Sequence, residues 1–169
     1  MDGRFNPLFG RFHPIGAAVF LTRLFIMSTA LSSDRNKQLV ERIGEEMFNH
    51  GKLEVAHEIF GTEFVDRGHE QVGDKKDGPE GFARFVKMIR SALPDLHASI
   101  QKMVAEGDHV AMWNTATATQ TGDLFGIPAS GKKISMKDFH FFRFSEGKVV
   151  EHWNQLNVLE TMQQLGVVK

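Results

Sequence analysis

The chain has 169 residues, 41% of them hydrophobic and 24% charged, with a net charge of −1. That length suits one domain with its own core, and the near-neutral balance gives no general pull toward nucleic acid or an anionic membrane. Cysteine and tyrosine are absent while phenylalanine numbers 15, which excludes disulfides, thiolate nucleophiles, cysteine-ligated metal and any phenolic acid or oxyanion donor.

The first 27 residues stand apart. They carry Arg4, Arg11 and Arg23 with Asp2 as their only acid. The apolar run from Ile15 to Met27 is interrupted by Arg23 and is too short to span a bilayer. It also lacks the uninterrupted apolar stretch and small-residue cleavage site of a secretory signal. Residues 1–30 are therefore expected to be an N-terminal extension, either disordered or preceding a true start at Met27. Residues 31–169 are expected to form the globular domain, in the cytoplasm.

Ser32 and Ser33 are candidate N-caps for a helix from about Asp34. Leu39, Val40, Ile43, Met47 and Phe48 recur at helical spacing, and Gly51 suits a left-handed end. A short second helix is expected over Leu53 to Phe60, then a strand over Glu63 to Gly68 and a polar loop from Gln71 to Gly78. Pro79 fits a first helical position, and Phe82, Phe85, Val86 and Ile89 give a third amphipathic helix that ends near Pro94. Beyond Pro94 the composition becomes strand-like over Ser99–Ala105, His109–Gln120, Lys133–Phe144 and Lys148–Leu156. Glu106-Gly107-Asp108 and Ser145-Glu146-Gly147 are hairpin connections, and Val158 to Leu165 is a short last helix. Helices followed by a meander give an α+β fold, with helices packed on one face of a sheet.

Several motifs in this order resemble the SnoaL-like polyketide and ester cyclases of the nuclear transport factor 2-like superfamily. They are Pro94-Asp95-Leu96, Glu106-Gly107-Asp108-His109-Val110, Thr119-Gln120-Thr121-Gly122 with Gly126 to Lys132, Arg143 to Trp153, and Gln164-Leu165-Gly166. The resemblance covers roughly Ser33 to Gly166. It implies a cone of curved antiparallel or mixed sheet wrapped against N-terminal helices around an internal pocket, and a homodimer through the sheet. It also implies a hydrophobic, carbonyl-bearing small molecule as substrate, with no cofactor; from charge and motif spacing no metal and neither nucleic acid nor membrane is expected as a partner. In this family an aspartate three residues before the arginine does acid/base work; here that position is His140, before Arg143. The family's Glu-His-Trp-Asp reads Glu151-His152-Trp153-Asn154, a further aspartate corresponds to Asn157, and Gly-Thr-His-Thr-Gly has become Ala118-Thr119-Gln120-Thr121-Gly122.

Alternation along a strand puts Met136, Asp138, His140, Phe142 and Phe144 on one face, and Lys137, Phe139, Phe141 and Arg143 on the other. The resemblance turns the His140 face toward the pocket. His140 is the candidate base, because imidazole titrates near neutrality. Asp138 could orient it or share its proton. The alternative is a hydrogen-bonded histidine at the pocket wall with Asp138 in water. Asp66 and His69 follow the first strand and are candidates for the pocket mouth. Trp113, Trp153 and Phe142 could pack on a substrate ring, although tryptophan is more often core. No HExxH or zinc-finger spacing supports a metal, and Gly122 to Lys132 lacks the spacing of a phosphate-binding loop. Besides a cyclase, two readings stand: a non-catalytic dimer that binds a small ligand, and an isomerase or dehydratase of the same fold.

Overall fold

The computed structural model describes residues 14–68 and 78–169. The chain divides into two compact units, Met1–Leu31 and Ser32–Lys169, and the second carries the sheet and everything below. The extension expected over residues 1–30 falls in part outside the described residues. Helix α1 runs without a break over Pro14–Arg42, passing through Ser32 and Ser33 rather than starting at them. No proline or glycine between Gly16 and Gly44 stops it, so the serines are helix interior and not caps. It continues as a π-helical stretch, Ile43–Asn49. Gly51, at φ 69°, ends the stretch by donating its amide to the Met47 carbonyl at 2.9 Å.

A 3₁₀ turn at Leu53–Val55 and the single turn α2 at Ala56–Ile59 lead into strand β1 at Phe60–Asp66. Helix α3 spans Gly78–Ala92 and buries Phe82, Val86 and Ile89 on one side. Strands β2 (His97–Glu106), β3 (His109–Thr119), β4 (Lys133–Ser145) and β5 (Lys148–Leu156) follow, and α4 (Val158–Leu165) closes the chain. The strand order is β1-β5-β4-β3-β2. The last four strands pair antiparallel, while β1 adds parallel to β5. The sheet is thus mixed, and the fold is the α+β one expected. Register shifts between Ile100 and Lys102 and between Arg143 and Phe144 mark bulges, which bend and twist a sheet locally.

Apolar residues gather in two clusters on the concave side. One holds Val40, Ile43, Met47, Phe60, Phe64, Phe82, Val110 and Phe142. The other holds Ile89, Leu93, Leu96, Ala116, Leu124, Ile134 and Leu165. Asn157 caps α4, its side chain accepting the Glu160 amide at 3.3 Å and donating to the Glu160 carboxylate at 2.9 Å. The residue that replaces a family aspartate is therefore a helix cap here.

The β3–β4 connection is organised by Gln120, which is wholly buried. Its amide donates to the carbonyls of Gly122, Ile127 and Pro128 at 3.2, 2.9 and 3.1 Å. Its oxygen accepts from the amide and hydroxyl of Ser130 at 3.1 and 2.6 Å. The loop is pinned to the end of α3 by the Thr121 and Gly122 amides, both donating to the Ala92 carbonyl. A Cβ at Gly122 would lie 2.8 Å from the Ser91 carbonyl oxygen, so this close approach needs glycine. Gln120→Leu keeps the side-chain volume but strands these carbonyls and Ser130. It should lower stability by about 2–4 kcal/mol, read as a lower urea midpoint at an unchanged slope.

Candidate active site

A cavity of about 1010 Å³ lies between the two apolar clusters. Phe82, Phe85, Leu93, Leu96, Met112 and Phe142 make much of its wall. Gly44 of the π-helical stretch also lines it, and a Cβ there would meet nothing within 4 Å. Polar groups line one side: Asn114, Asp138, His140, His152 and Asn154, with Arg67 beside them.

Strand geometry places them. Asp138, His140 and Phe142 are alternate residues of β4, all turned to the cavity. On β5 the pairing Arg143↔Glu151 is followed by Phe144↔Val149, so Val150 is an extra residue. The bulge brings Val149 and His152, three apart, to the same buried side. Parallel pairing of Asp66 with His152 then sets the end of β1 beside the ring.

The outcome is a line of four titratable side chains. His140 Nε2 lies 3.2 Å from an oxygen of Asp138. His140 Nδ1 is 2.9 Å from His152 Nε2, and His152 Nδ1 is 3.1 Å from Asp66 Oδ1. That same Oδ1 accepts the Gly68 amide at 3.0 Å. Rings hold the imidazoles in place: His152 stacks on Phe142 at 4.7 Å and meets the edge of Phe82 at 5.8 Å, and His140 stacks on Phe142 at 6.0 Å. His152 is 1% exposed, so such a polar group is tolerable only because both nitrogens are bonded. Among the described residues two other acceptors are unmet. Asn114 Oδ1 and Asp138 Oδ1 are buried without a protein donor, and the two residues face each other across β3 and β4.

Of the residues expected from the sequence, Asp138, His140 and Phe142 line this cavity, and Asp66 stands behind it, bonded to His152. His69 lies outside the described residues. Trp113 and Trp153 do not line the cavity. They sit on the opposite face of the sheet, where Trp113 stacks on Phe139 at 6.0 Å and Trp153 meets Phe141 at 5.9 Å. His152 and Asn114 are the residues that sequence reasoning missed. His152 was hidden by the bulge, and Asn114 carried only the parity of β3 as a signal. Among the described residues no group of three or more suitable side chains is placed to hold a metal; the four titratable groups lie in a line and do not converge on a point.

Behind the site, Glu151 on the outer face accepts from Arg67 at 2.9 and 2.5 Å and from Arg143 at 2.5 Å. The hydrogen bonds from Arg67, then those from Arg143, hold its carboxyl below the usual glutamate range. A lowered folded-state pKa stabilises above the unfolded value and is lost as pH falls through the folded one. The stability advantage of the native chain over Glu151→Gln should therefore be full at neutral pH, begin to fall below about pH 4 and be lost only at more acid pH, as followed by thermal melts at descending pH. Gly68 packs against Asn154: a Cβ there would lie 2.2 Å from its Oδ1 and 2.8 Å from its backbone nitrogen. Gly68→Ala should destabilise by about 1–3 kcal/mol, seen as a lowered melting temperature.

A mixed sheet packed against helices, with a polar-sided cavity beside them, is the α+β fold of the nuclear transport factor 2-like superfamily. Within it, this chain belongs to the SnoaL-like polyketide cyclase family, whose model matches residues 38–165. It is 28% identical over 123 residues to the aklanonic acid methyl ester cyclase of Streptomyces peucetius, spanning 72% of this chain and 84% of the relative. It is 24% identical over 121 residues to the nogalonic acid methyl ester cyclase of Streptomyces nogalater, 70% of this chain and 89% of that one. TsrD from Streptomyces laurentii superposes with a TM-score of 0.73 at 25% identity, over 80% of this chain and 97% of TsrD. A SnoaL-like polyketide cyclase from Agrobacterium tumefaciens gives 0.64 at 16% identity, over 75% and 95% of the two chains, which shows the fold alone. Among the described residues no helix is long and apolar enough to cross a membrane.

Proposed function

We propose that the protein is an ester cyclase that closes a ring in a hydrophobic, carbonyl-bearing polyketide by proton transfer alone, with His140 and Asp138 as the acid/base pair. The observation that carries this reading is the 3.2 Å contact between them on the wall of a large, mostly apolar-lined cavity. A hydrogen next to a carbonyl is acidic enough for a well-placed imidazole to remove. The resulting enolate carbon can add to a second carbonyl of the same chain, and the proton then returns to the new alkoxide oxygen. Each transfer is between substrate and side chain, so the chemistry requires no cofactor. The unmet acceptors of Asn114 and Asp138 suit a substrate that brings a hydroxyl donor. An isomerase that leans on phenolic hydroxyls cannot be built from a chain without tyrosine.

The outer face supports a homodimer through the sheet. There Trp113, Phe139 and Phe141 are 38%, 59% and 42% exposed, an apolar patch of the kind that marks an interaction surface.

The methyl esters named for the relatives, aklanonic and nogalonic, are the first substrates to try. His140→Ala should lower kcat by about 10²-fold or more with ligand binding retained, and should also lower the melting temperature modestly because it unpairs Nε2 of the buried His152. Turnover retained despite that loss of stability would make His140 structural. Tight binding by the native protein without turnover would leave the non-catalytic ligand-binding reading.

A further inference from the structure

Which nitrogen of His140 is the base follows from groups that never reach the substrate. Asp66 Oδ1 already accepts the Gly68 amide, so it also acts as acceptor toward His152. His152 Nδ1 must then carry the proton of that 3.1 Å bond. A neutral imidazole has one N–H, so His152 Nε2 is left with a lone pair. The 2.9 Å contact with His140 Nδ1 is a hydrogen bond only if His140 Nδ1 donates. One N–H is again used, and the lone pair of His140 falls on Nε2. That atom lies 3.2 Å from Asp138 with no hydrogen bond between them until a proton arrives, on a residue that lines the cavity.

We infer that Asp66 and His152 are positioning residues that fix the tautomer of His140, so that its Nε2 is the basic atom presented to the cavity. The inference deepens the cyclase reading and rests on it for the reaction, but not for the tautomer itself. When a substrate C–H proton moves to Nε2, its electron pair stays on the substrate as the enolate. The new imidazolium has the Asp138 carboxylate at one end and, through His152, the Asp66 carboxylate at the other. Asp138 thus steadies the charge, and the outer pair keeps the lone pair from retreating to Nδ1. The same alignment explains why a buried histidine at 1% exposure stands where a leucine or phenylalanine would pack as well.

The test is long-range proton–nitrogen NMR on protein with ¹⁵N-labelled histidine, at a pH high enough for the imidazoles to be neutral. His140 and His152 should both carry their proton on Nδ1, with bare Nε2. His152→Phe keeps the aromatic stack against Phe142 and Phe82 but cannot accept a proton. It should move His140 toward the Nε2–H form and lower kcat roughly 10–100-fold with KM little changed. Asp66→Ala releases His152 without touching the stack and should do the same in milder degree. A native spectrum with His140 protonated on Nε2 overturns the inference. So does a His152→Phe protein whose His140 tautomer and kcat match the native ones. If His152→Phe does not fold, the native spectrum and Asp66→Ala decide. The spectrum needs no substrate: the expected tautomers without turnover would sink the cyclase reading alone, and turnover with the opposite tautomer would sink this inference alone.

Discussion

One extra residue in β5 holds this design together. With Val150 inserted between the Arg143↔Glu151 and Phe144↔Val149 pairings, the strand changes parity partway along. Val149 joins the apolar cluster beside Phe60, and His152 enters the cavity. Glu151 is sent to the other face, where it holds Arg67 and Arg143. A regular strand could do only one of these things, because a one-residue slip turns every side chain to the opposite face. Without the bulge His140 would have no imidazole to bond, and Asp66 would end β1 beside a different side chain.

The cavity exists because polar groups occupy places where a dry core would close. A buried amide or imidazole costs about 1–3 kcal/mol when left unpaired, so the row across β3, β4 and β5 must be bonded or face open space. His140, His152 and Asp66 largely satisfy one another, and Asp138 stands 3.2 Å from His140 at the cavity end of the row. Phe82 and Phe142 clamp the rings from the apolar side, which keeps a chain of soft contacts in one geometry. The stability of the domain is drawn instead from the two flanking clusters and from the Gln120 hub that ties the long loop to α3.

Much of the fold was legible in the sequence, since strand alternation and helical spacing act locally. The limits of β4, β5 and α4 fall within a residue or so of their sequence expectation, and the His140 face of β4 follows from parity alone. That this face meets the cavity came from the family resemblance, and parity then set Asp138 beside His140 on it. His152 was not readable, because a bulge is set by the pairing of two strands and leaves no mark on either one by itself. Trp113 and Trp153 misled for a related reason: an aromatic on a strand fits a cavity or an outer face equally well until the register is known. The serines at 32 and 33 have the chemistry of caps, yet nothing before them breaks the helix. Tertiary continuity there overrides local preference.

Gly44 has a consequence for how such a protein changes over time. It sits in a π-helical stretch, a form often found where a helix has gained a residue near a functional site, and the space beyond its Cα is empty. At Gly68, also in the wall, a larger side chain would collide with Asn154. At Gly44 it would project into the void and subtract from it, leaving scaffold and acid/base line untouched. A single codon can thus rescale the chamber in steps of one methyl group or one ring, letting one backbone be refitted to shorter guests without first being destabilised.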